Sequence, residues 1–334
     1  MLLSIIIVNY KSAALILDCL QAVYKMPGEY PFEILVVDNA SGDDSQTRIG
    51  TAFPQVTWIA MDYNSGFARA NNEGIRRSNG DTVLLLNGDT LPDVQTIGTT
   101  YRRLTESAHI AAGVQLLNPD GTPQISGMYV MRGGLNYLLP LPYLGALIKA
   151  AGQKAKVKKP HVADAAAPVE VDWINGAFLM VKKQAIEKAG LLDEDFFLYA
   201  EEAEWCSRLK TAGSLVLYSD LHVIHLQGET ANQEFGSAGK GYYNLFDRKG
   251  LQIMLSNFVR IRKQFGVGWF LVQLFFYLLD IPVFGIGLLL STIGRKASSR
   301  YTFAQLRGYS GNVWAILRLS PVIMRNKPYF YKVL

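Results

Sequence analysis

Three acidic segments of the chain hold residue types that suit binding of a nucleotide diphosphate and activation of a hydroxyl group. They are Asp38 in VVDNASGD, Asp89 in LLLNGDT, and Glu201–Glu204, which includes three glutamates. A histidine, His225, follows them. Carboxylates and imidazoles bind divalent cations, and a carboxylate can serve as a general base. Together these residues predict a site that holds a diphosphate through a metal and deprotonates an acceptor hydroxyl.

Each segment also has an ordinary structural interpretation. Asp38 begins a run of turn-forming residues, and Asp89 precedes residues that suit a helix cap or a turn. A run of glutamates on a helix is usually a solvated face, although the aromatic residues of FFLY before Glu201 favour partial burial. His222 and His225 would point to opposite faces of a strand, so only one of them can belong to the site. The functional interpretation therefore depends on the combination of residues.

The first half of the chain alternates short apolar runs with patterns of helical period. The predicted strands are Ser4–Val8, Phe32–Val37, Val56–Ala60 and Thr82–Leu86, and the predicted helices cover Ala13–Val23 and residues 66–78. Strands separated by helices indicate an α/β fold with a mostly parallel, Rossmann-like sheet and helices on both faces. Ligands bind beyond the carboxyl ends of such strands, where Asn9, Asp38 and Asn87–Asp89 lie.

The sequence NSGFARANNEG, residues 64–74, predicts a capped helix N-terminus, which is a favourable place for phosphate. Arg69 in this segment could contact a phosphate or a base, although it suits a surface ion pair equally well. The segment matches neither GxGxxG nor a P-loop. This disfavours a dinucleotide-dependent dehydrogenase or an NTPase.

The second half of the sheet domain is less regular. Its predicted elements are strands within Val169–Val181, a helix at Lys182–Ala189, a helix at Phe196–Leu209, and short strands at Leu215–Leu217 and His222–His225. Residues 133–168 are first apolar with Pro and Gly, and then rich in Lys, Ala and Pro. This composition predicts a mobile loop.

The segment from residue 251 to 334 differs in charge, with eleven Lys and Arg residues against one acid, Asp280. It contains Trp269–Leu290, a nearly continuous apolar run that is long enough to span a bilayer. Asp280 beside Pro282 would be costly at the centre of a membrane. We therefore favour a pair of helices lying in the membrane interface over a spanning helix.

Basic clusters at residues 260–263 and 295–300 flank the apolar run, which suits an anionic membrane surface. The aromatic residues are not interleaved with the basic ones, so no nucleic acid partner is expected. A core helix or a homodimer interface is the alternative. The two cysteines, Cys19 and Cys206, indicate a reducing compartment and no disulfide framework. The opening MLLSIIIVNY is interpreted as a buried strand and not as a signal peptide.

These motifs resemble those of the inverting family-2 glycosyltransferases with the GT-A fold, particularly the bacterial rhamnosyltransferase-like branch. The matching segments are SIIIVNYKS, ILVVDNASGDDS, NSGFARANNEGI, DTVLLLNGDT, VDWINGAFLMVKKQAI, GLLDEDFFLYAEEAEWCSRLKTAG and VIHLQGET, in the family's order. The resemblance implies a GT-A nucleotide-diphospho-sugar transferase domain over residues 1–250. A helical membrane-associating region over residues 251–334 would follow it.

The resemblance also implies roles at the donor. Asp38 would hold the nucleotide base, and Asn87-Gly88-Asp89 stands at the Asp-x-Asp-like metal motif, with Asn87 in place of its first carboxylate. The implied ion is Mg²⁺ or Mn²⁺. His225 matches a late histidine that helps hold the metal and the diphosphate, so the implied metal ligands are Asp89 and His225. The implied nucleotide-sugar contacts are Asn9, Asp38, Asn64, Arg69, Asn72, Asn87 and Asp89.

The implied catalytic base lies in Glu201-Glu202, which stands at the family's Glu-Asp motif. Glu202 replaces the usual aspartate by a longer side chain, and Glu201 remains a second candidate. Trp173, Asn175 and Gly176 resemble the acceptor and sugar side of the pocket.

The function implied by the resemblance is transfer of a sugar with inversion, with L-rhamnose from dTDP-rhamnose as the first guess. The acceptor would be a lipid-linked saccharide in cell-surface polysaccharide synthesis, such as lipopolysaccharide O-antigen, at the cytoplasmic face of the plasma membrane. One alternative is transfer from a UDP-hexose or UDP-N-acetylhexosamine. Another is a catalytically weak GT-A scaffold, which is favoured by Asn87 and Glu202 because both differ from the family's usual residues. A nucleotidyltransferase is disfavoured because Asn9-Tyr-Lys-Ser is a poor match to the loop it needs.

Overall fold

The structure is a computed structural model. It describes residues 2–25, 30–156, 161–162, 167–226, 229–237, 244–293 and 301–333. The chain divides into two compact units. The first unit comprises residues 1–129, 161–197 and 201–230, and the second comprises residues 130–160, 198–200 and 231–334.

The first unit is a sheet with helices along the chain between its strands. Its strands are β1 (Leu3–Asn9), β2 (Phe32–Asp38), β3 (Thr57–Ala60), β4 (Thr82–Leu86), β5 (Thr90–Pro92), β6 (Ala111–Leu117), β7 (Gly127–Met128), β8 (Val169–Val171), β9 (Trp173–Ile174), β10 (Phe178–Lys182) and β11 (Leu215–His225). Its helices are α1 (Ala13–Val23), α2 (Ser45–Ala52), α3 (Gly66–Arg77), α4 (Thr96–Glu106), α6 (Lys183–Ala189) and α7 (Glu201–Leu209), while α5 (Leu144–Lys154) belongs to the second unit.

Nine of the described strands form one mixed sheet, in the order β3-β2-β1-β4-β10-β6-β11-β5, with β8 paired to β11. The strands β3, β2, β1 and β4 are mutually parallel, and β10 lies antiparallel between β4 and β6. The central residues of both strands, Ile5–Ile7 of β1 and Val83–Leu85 of β4, are apolar and fully buried, as expected for strands covered on both faces. The predicted α/β fold with helices between parallel strands is confirmed.

The pairing of the strands determines which polar residues meet. Asn9 and Asp38 are register partners at the ends of β1 and β2. The strand β5 pairs with the end of β11, and Thr90 lies opposite His225. Parallel strands present their carboxyl ends at one edge of the sheet, so the residues after β1, β2 and β4 lie along the same edge.

Two predictions about the second half of the sheet domain are wrong. The glutamate-bearing helix begins at Glu201 and not at Phe196, because Tyr199 and Ala200 have φ values of 72° and 65°, which a right-handed helix does not allow. The two short strands predicted at 215–217 and 222–225 are one strand, β11, with an irregularity between Tyr218 and His222. His222 is exposed and His225 is buried, as the alternation predicts.

The second unit is helical. It contains a 3₁₀ segment (Arg132–Leu138), α5, α9 (Arg248–Phe265), α10 (Val267–Ile293) and α11 (Phe303–Arg325), and α8 (Glu229–Phe235) crosses into it from the first unit. The prediction of a mobile loop over residues 133–168 is therefore wrong for the 3₁₀ segment and for α5. Residues 157–160 and 163–166 lie outside the described residues. Packing explains the difference, because Gly133 lies against the Trp269 ring and the Tyr143 ring contacts Phe284.

The apolar run is one continuous helix, α10, and not the predicted pair of helices. Pro282 lies inside this helix, where it removes one hydrogen bond without ending it. Among the described residues, α10 alone is long and apolar enough to cross a membrane, judged by length and composition. Asp280 is fully buried and so does not face solvent. Arg295, Lys296 and Arg300 of the second basic cluster lie outside the described residues.

Candidate active site

The ends of β1 and β2 are joined by a network around Asp38. The Asn9 amide Nδ2 donates to Asp38 Oδ1 at 2.8 Å and to Ser41 Oγ at 3.1 Å. Ser41 Oγ in turn donates to Asp38 Oδ1 at 2.5 Å, and its backbone N–H donates to Asp38 Oδ2. Asn9 is fully buried, whereas Asp38 is partly exposed. The network holds one carboxylate in a fixed direction at the edge of the sheet, where it can accept hydrogen bonds from a ligand.

A second pair of side chains, Asp89 and His225, meets beyond β4. His225 Nε2 lies 3.4 Å from Asp89 Oδ1 and 3.5 Å from Asn87 Nδ2. The backbone keeps this arrangement, because Leu226 N–H donates to the carbonyl of Asp89 at 3.0 Å. The Asp89 side chain is 16% exposed and that of His225 is 8% exposed. The two side chains are thus largely buried, but a small part of each remains accessible to solvent.

The same two side chains fit a divalent cation as partial ligands. Two neighbouring ligands of an octahedral ion, each at about 2.1 Å, lie about 3 Å apart, which is close to the distance between Asp89 Oδ1 and His225 Nε2. Within the described ranges, no group of three or more His, Cys, Asp or Glu residues forms a metal cluster. A cation here would therefore need further oxygen ligands from a bound molecule, as Mg²⁺ commonly takes from phosphates.

The glutamates of α7 are buried at the start of the helix. Glu201 and Glu202 are 3% and 7% exposed. The N-terminus of a helix favours a carboxylate, because the unpaired backbone N–H groups there carry partial positive charge. Glu204 is engaged differently, because Arg208 binds it through two hydrogen bonds of 2.8 and 2.7 Å. Glu201 and Glu202 are thus the two predicted site residues of this helix, and both lie buried in its first turn.

Gly176 connects the glutamates with the residues after β4. A Cβ atom added at Gly176 would lie 3.4 Å from Glu202 Cγ, so the two residues are close neighbours. The next residue, Ala177, accepts a hydrogen bond from Asn87 N–H at 3.0 Å. Glu202 therefore lies close to Gly176, and the backbone of the next residue, Ala177, is hydrogen-bonded to Asn87, which lies beside His225.

The model of the family described as "Glycosyl transferase family 2" matches residues 4–159, a segment that contains Asp38 and Asp89 in the positions just described. Over this segment, which is just under half of the chain, the sequence is similar to glycosyl transferase family 2. The hexosyltransferase Agl10 of low-salt glycan biosynthesis in Haloferax volcanii is 29% identical over 212 residues, or 62% of this chain and 61% of that protein. The chain thus spans less than two thirds of that relative's length.

Two rhamnosyltransferases are also similar. The N-acetylglucosaminyl-diphospho-decaprenol L-rhamnosyltransferase of Mycobacterium tuberculosis is 24% identical over 222 residues, covering 62% of this chain and 70% of that protein. The dTDP-rhamnosyl transferase RfbF of Shigella flexneri is 30% identical over 83 residues, covering 25% of this chain and 27% of that protein.

Solved structures share the GT-A fold. The mannosyltransferase PcManGT from Pyrobaculum calidifontis, in complex with GDP-Man and Mn²⁺, superposes with a TM-score of 0.52 at 17% identity, covering 98% of this chain and 81% of that one. GalNAc-T7, with UDP, GalNAc and Mn²⁺, gives 0.56 at 14% identity over 98% and 58% of the two chains.

The remaining predicted site residues have structural partners. Arg69 donates to the carbonyl of Glu194 at 2.9 Å and to the Tyr63 hydroxyl at 2.8 Å. Asn72 exchanges two hydrogen bonds with the backbone of Leu192. These contacts hold the segment before the glutamates, and none of these described bonds reaches Asp89 or His225.

Asn64 lies at the start of α3. Its Oδ1 accepts from Gly66 N–H at 3.2 Å and from Asn39 Nδ2 at 3.0 Å. Asn39 Oδ1 accepts from both the N–H and the hydroxyl of Ser65. Of the predicted Asn and Ser caps, Ser65 makes no side-chain capping bond, whereas Asn64 bonds the N–H of Gly66, the first residue of α3.

On the predicted acceptor side, Asn175 is tied to the backbone. Its Nδ2 donates to the carbonyl of Ile125, and its Oδ1 accepts from Ala177 N–H. Trp173 pairs with Met128 in the two-stranded sheet β7-β9. The Trp173 ring is 8% exposed, and its Nε1–H has no hydrogen-bond partner among the described residues.

Sequence reasoning missed three residues that organise the site. Ser41 and Asn39 lie in a segment interpreted as a turn, and Gln124 lies in a loop without any recognised motif. Ser41 was detectable in principle, because Asp-Asn-Ala-Ser follows a buried strand and serine often bonds a nearby carboxylate or backbone group. Gln124 had no sequence signal, because its partner His225 is distant in the chain.

Proposed function

We propose that this glycosyltransferase moves a sugar from a nucleoside diphosphate to a hydroxyl of a lipid-linked saccharide with inversion, and that the donor is dTDP-L-rhamnose. The single observation that carries the proposal is the meeting of Asp89 and His225 beside Asn87, whose backbone bonds Ala177, next to Gly176 and its close neighbour Glu202. The residues that would hold a diphosphate therefore lie in the same region of the first unit as the proposed general base. The similarity to the Mycobacterium and Shigella rhamnosyltransferases supports rhamnose as the sugar.

The donor end of the site would be formed by Asp38, Asp89 and His225. Asp38, held by Asn9 and Ser41, suits a hydrogen bond to the nucleotide base or ribose. Asp89 and His225 would hold Mg²⁺ or Mn²⁺ together with the diphosphate, and the ion when bound neutralises charge on the leaving group. PcManGT and GalNAc-T7, which share the fold, contain Mn²⁺ with a nucleotide or nucleotide sugar, and this supports a divalent ion.

The acceptor would be activated by Glu202, with Glu201 as the second candidate. The carboxylate takes the proton of the acceptor hydroxyl while the oxygen forms a bond to the anomeric carbon. The bond from that carbon to the diphosphate oxygen breaks, and the nucleoside diphosphate leaves. One displacement from the opposite side inverts the anomeric centre. Burial of Glu202 at a helix N-terminus keeps its carboxylate oriented and shielded from bulk water.

The donor proposal is tested by calorimetry with a panel of nucleotide sugars, with and without Mg²⁺ or Mn²⁺, on the wild type and on Asp89→Ala. We expect dTDP-rhamnose to bind in a metal-dependent manner and the variant to lose the metal-dependent part. If a UDP-hexose or UDP-N-acetylhexosamine bound preferentially, the proposed donor would be wrong, but the proposed transfer reaction would stand. Failure of every donor to bind, under either metal, would favour the scaffold alternative.

A lipid-linked acceptor requires the enzyme at a membrane, and we propose that α10 provides the contact by lying in the interface. One side of α10 is buried in the helical unit and includes the polar residues Gln273 and Asp280, both fully buried. The other side presents exposed apolar residues at helical spacing: Val267, Leu271, Phe275, Leu279, Ile286 and Leu290. Because one side is occupied by protein, the helix suits shallow burial in the interface better than a span.

Charge supports an anionic surface as the partner. From residue 248 onward the chain has one acidic residue, Asp280, and it is buried. Exposed cations of the second unit lie on α5 and around α11, at Lys149, Lys154, Arg307, Arg318, Arg325 and Lys327. Each Lys or Arg near an anionic leaflet contributes about 1 kcal/mol. We propose that the site works at the cytoplasmic face of the plasma membrane, where anionic lipids and nucleotide sugars are both available.

Vesicle flotation tests the membrane contact. The full-length wild type should float with phosphatidylglycerol-containing vesicles and less with pure phosphatidylcholine. The variant Phe275→Glu/Leu279→Glu should bind at least about tenfold more weakly, because two exposed apolar side chains no longer enter the interface. Val94→Glu, an exposed apolar residue of the first unit, is the matched control. Equal flotation of the double variant and the wild type would contradict the role of α10.

A further inference from the structure

The buried side chain of Gln124 makes contacts to His225 at two places. Gln124 Oε1 lies 2.9 Å from His225 Nδ1, and Gln124 Nε2 lies 2.7 Å from the backbone carbonyl oxygen of the same histidine. Gln124 is 9% exposed and His225 is 6% exposed, so neither partner is readily replaced by water. The two side chains thus form a closed, buried pair.

The orientation of the Gln124 amide follows from its surroundings. Its Nε2 faces three acceptors: the carbonyl of His225, Asn118 Oδ1 at 2.9 Å and the carbonyl of Leu117 at 3.4 Å. A backbone carbonyl can only accept a hydrogen bond. The reversed amide would therefore bring two oxygen atoms within 2.7 Å of each other without a proton between them. The nitrogen must face the carbonyls, and the oxygen Oε1 must face His225 Nδ1.

This orientation has a direct consequence for the imidazole ring. An amide oxygen accepts, so His225 Nδ1 carries the proton that it donates to Gln124 Oε1. In a neutral ring the other nitrogen, Nε2, then holds a lone pair. That lone pair faces Asp89 Oδ1 at 3.4 Å and Asn87 Nδ2 at 3.5 Å. The nitrogen that can bind a metal is the one beside the Asp89 carboxylate.

We propose that Gln124 is the positioning residue that sets the tautomer of His225 and aims its Nε2 lone pair at the cation proposed between His225 and Asp89. The assignment of the tautomer rests on the contacts of Gln124 alone, whereas its purpose rests on the proposed function. Outer partners that orient a metal-binding histidine typically change metal affinity by about 10–100-fold. Gln124 acts through His225 and does not itself contact the donor.

The test uses nitrogen-15-labelled histidine and two-bond proton–nitrogen correlation spectra of the full-length protein, at a pH where free imidazole is neutral. The chain has four histidines, and a His225→Gln spectrum identifies the signals of His225. We expect the wild type to show a protonated Nδ1 and an unprotonated Nε2. In Gln124→Met, which keeps the length but removes both polar groups, the proton should redistribute toward Nε2. A wild-type spectrum with a protonated Nε2 would overturn the inference without any variant.

The second measurement is Mn²⁺ affinity, read by electron paramagnetic resonance in the presence of dTDP. We expect Gln124→Met to bind Mn²⁺ about 10–100-fold more weakly than the wild type. The matched control is Gln115→Met, because Gln115 is equally buried and bonds Ser126 and the carbonyl of Gln124 without touching His225. Gln115→Met should lose about as much stability as Gln124→Met, but it should keep the wild-type affinity for Mn²⁺. Equal Mn²⁺ affinity in Gln124→Met and the wild type would overturn the positioning role.

The two measurements separate this inference from the proposed function. A wild type that binds no Mn²⁺ with any nucleoside diphosphate would remove the metal from the proposed function. The tautomer of His225 would still be read from the nitrogen spectrum alone.

Discussion

The carboxylate of Asp89 and the imidazole of His225 face each other, with 3.4 Å between Oδ1 and Nε2. Asp89 follows β4, whereas His225 ends β11, and the antiparallel pairing of β5 with β11 brings the two together. With Nδ1 of the ring donating to Gln124, the two facing atoms are both electron-rich. Such a pair is stable when a cation or a proton lies between them, and this is the physical basis of the metal-dependent predictions.

Removal of either member of this pair should remove the same interaction. We expect Asp89→Ala and His225→Ala each to reduce metal-dependent donor affinity by about 10–100-fold, and the double variant to lose little more than the worse single one. Calorimetry with Mn²⁺ measures the cycle. Asp93→Asn, at an exposed acid four residues further on, is the control and should bind as the wild type does. Fully additive losses would show that the two residues act separately.

The proposed base should affect transfer and not donor binding. We expect Glu202→Gln to lower kcat by about 10²–10⁴-fold, the usual contribution of general base catalysis, with donor affinity changed less than twofold. Glu187→Gln, an exposed glutamate on α6, is the control. Product formation from radiolabelled donor measures the rate. If Glu201→Gln were inactive and Glu202→Gln active, the base would be Glu201.

A glycine at the start of α3 should be indispensable for the fold. Gly66 has a φ of +78°, and a Cβ atom there would lie 2.1 Å from the carbonyl oxygen of Phe197, which also accepts from Phe67 N–H. We expect Gly66→Ala to destabilise the protein by more than about 3 kcal/mol, because backbone strain and a backbone clash add.

Gly42 is the matched control for that substitution. It has a similar φ of +67°, but a Cβ atom added there would meet no other atom within 4 Å, so Gly42→Ala should cost only about 1–2 kcal/mol. Urea unfolding compares the two variants. Equal losses would mean that the close approach of Phe197 is relieved by a small shift.

Acid should weaken the protein through Glu33. Burial alone would raise the pKa of Glu33, but hydrogen bonds from Ser4 and Asn79 outweigh it and hold the pKa below its ordinary value. A carboxyl group with a lowered pKa in the folded state contributes stability above its unfolded pKa, and this is lost as the pH falls through the folded pKa.

We therefore expect the free energy of unfolding to fall below about pH 4.3, the ordinary pKa of glutamate, and Glu33→Gln to flatten part of that decline. Urea unfolding at a series of pH values measures the effect. Glu106→Gln, an exposed glutamate on α4, is the control. If the free energy of unfolding of Glu33→Gln fell at low pH as steeply as that of the wild type, other carboxyl groups would be responsible for the decline.

The local elements were predictable because their signals are local. The predicted bounds of α1 and β4 agree with the structure, since each combines an uninterrupted apolar pattern with clear breaks at both ends. The placement of Asn9, Asp38 and Asn87 at strand ends followed from the same patterns. The start of α7 was missed, because Tyr and Ala are not residue types that indicate the positive φ values found at Tyr199 and Ala200.

By itself, the sequence determined the α/β class, the strand ends that carry the polar residues, the family motifs and the basic, apolar character of the last segment. These properties depend on residue type and short-range period, which the chain displays before it folds. Only the tertiary structure decided that Asp89 meets His225, that Gln124 orients that histidine, and that Asp280 is buried while Phe275 is exposed. Those relationships join residues from separate elements, and strand pairing and helix packing create them only when the whole chain is in place.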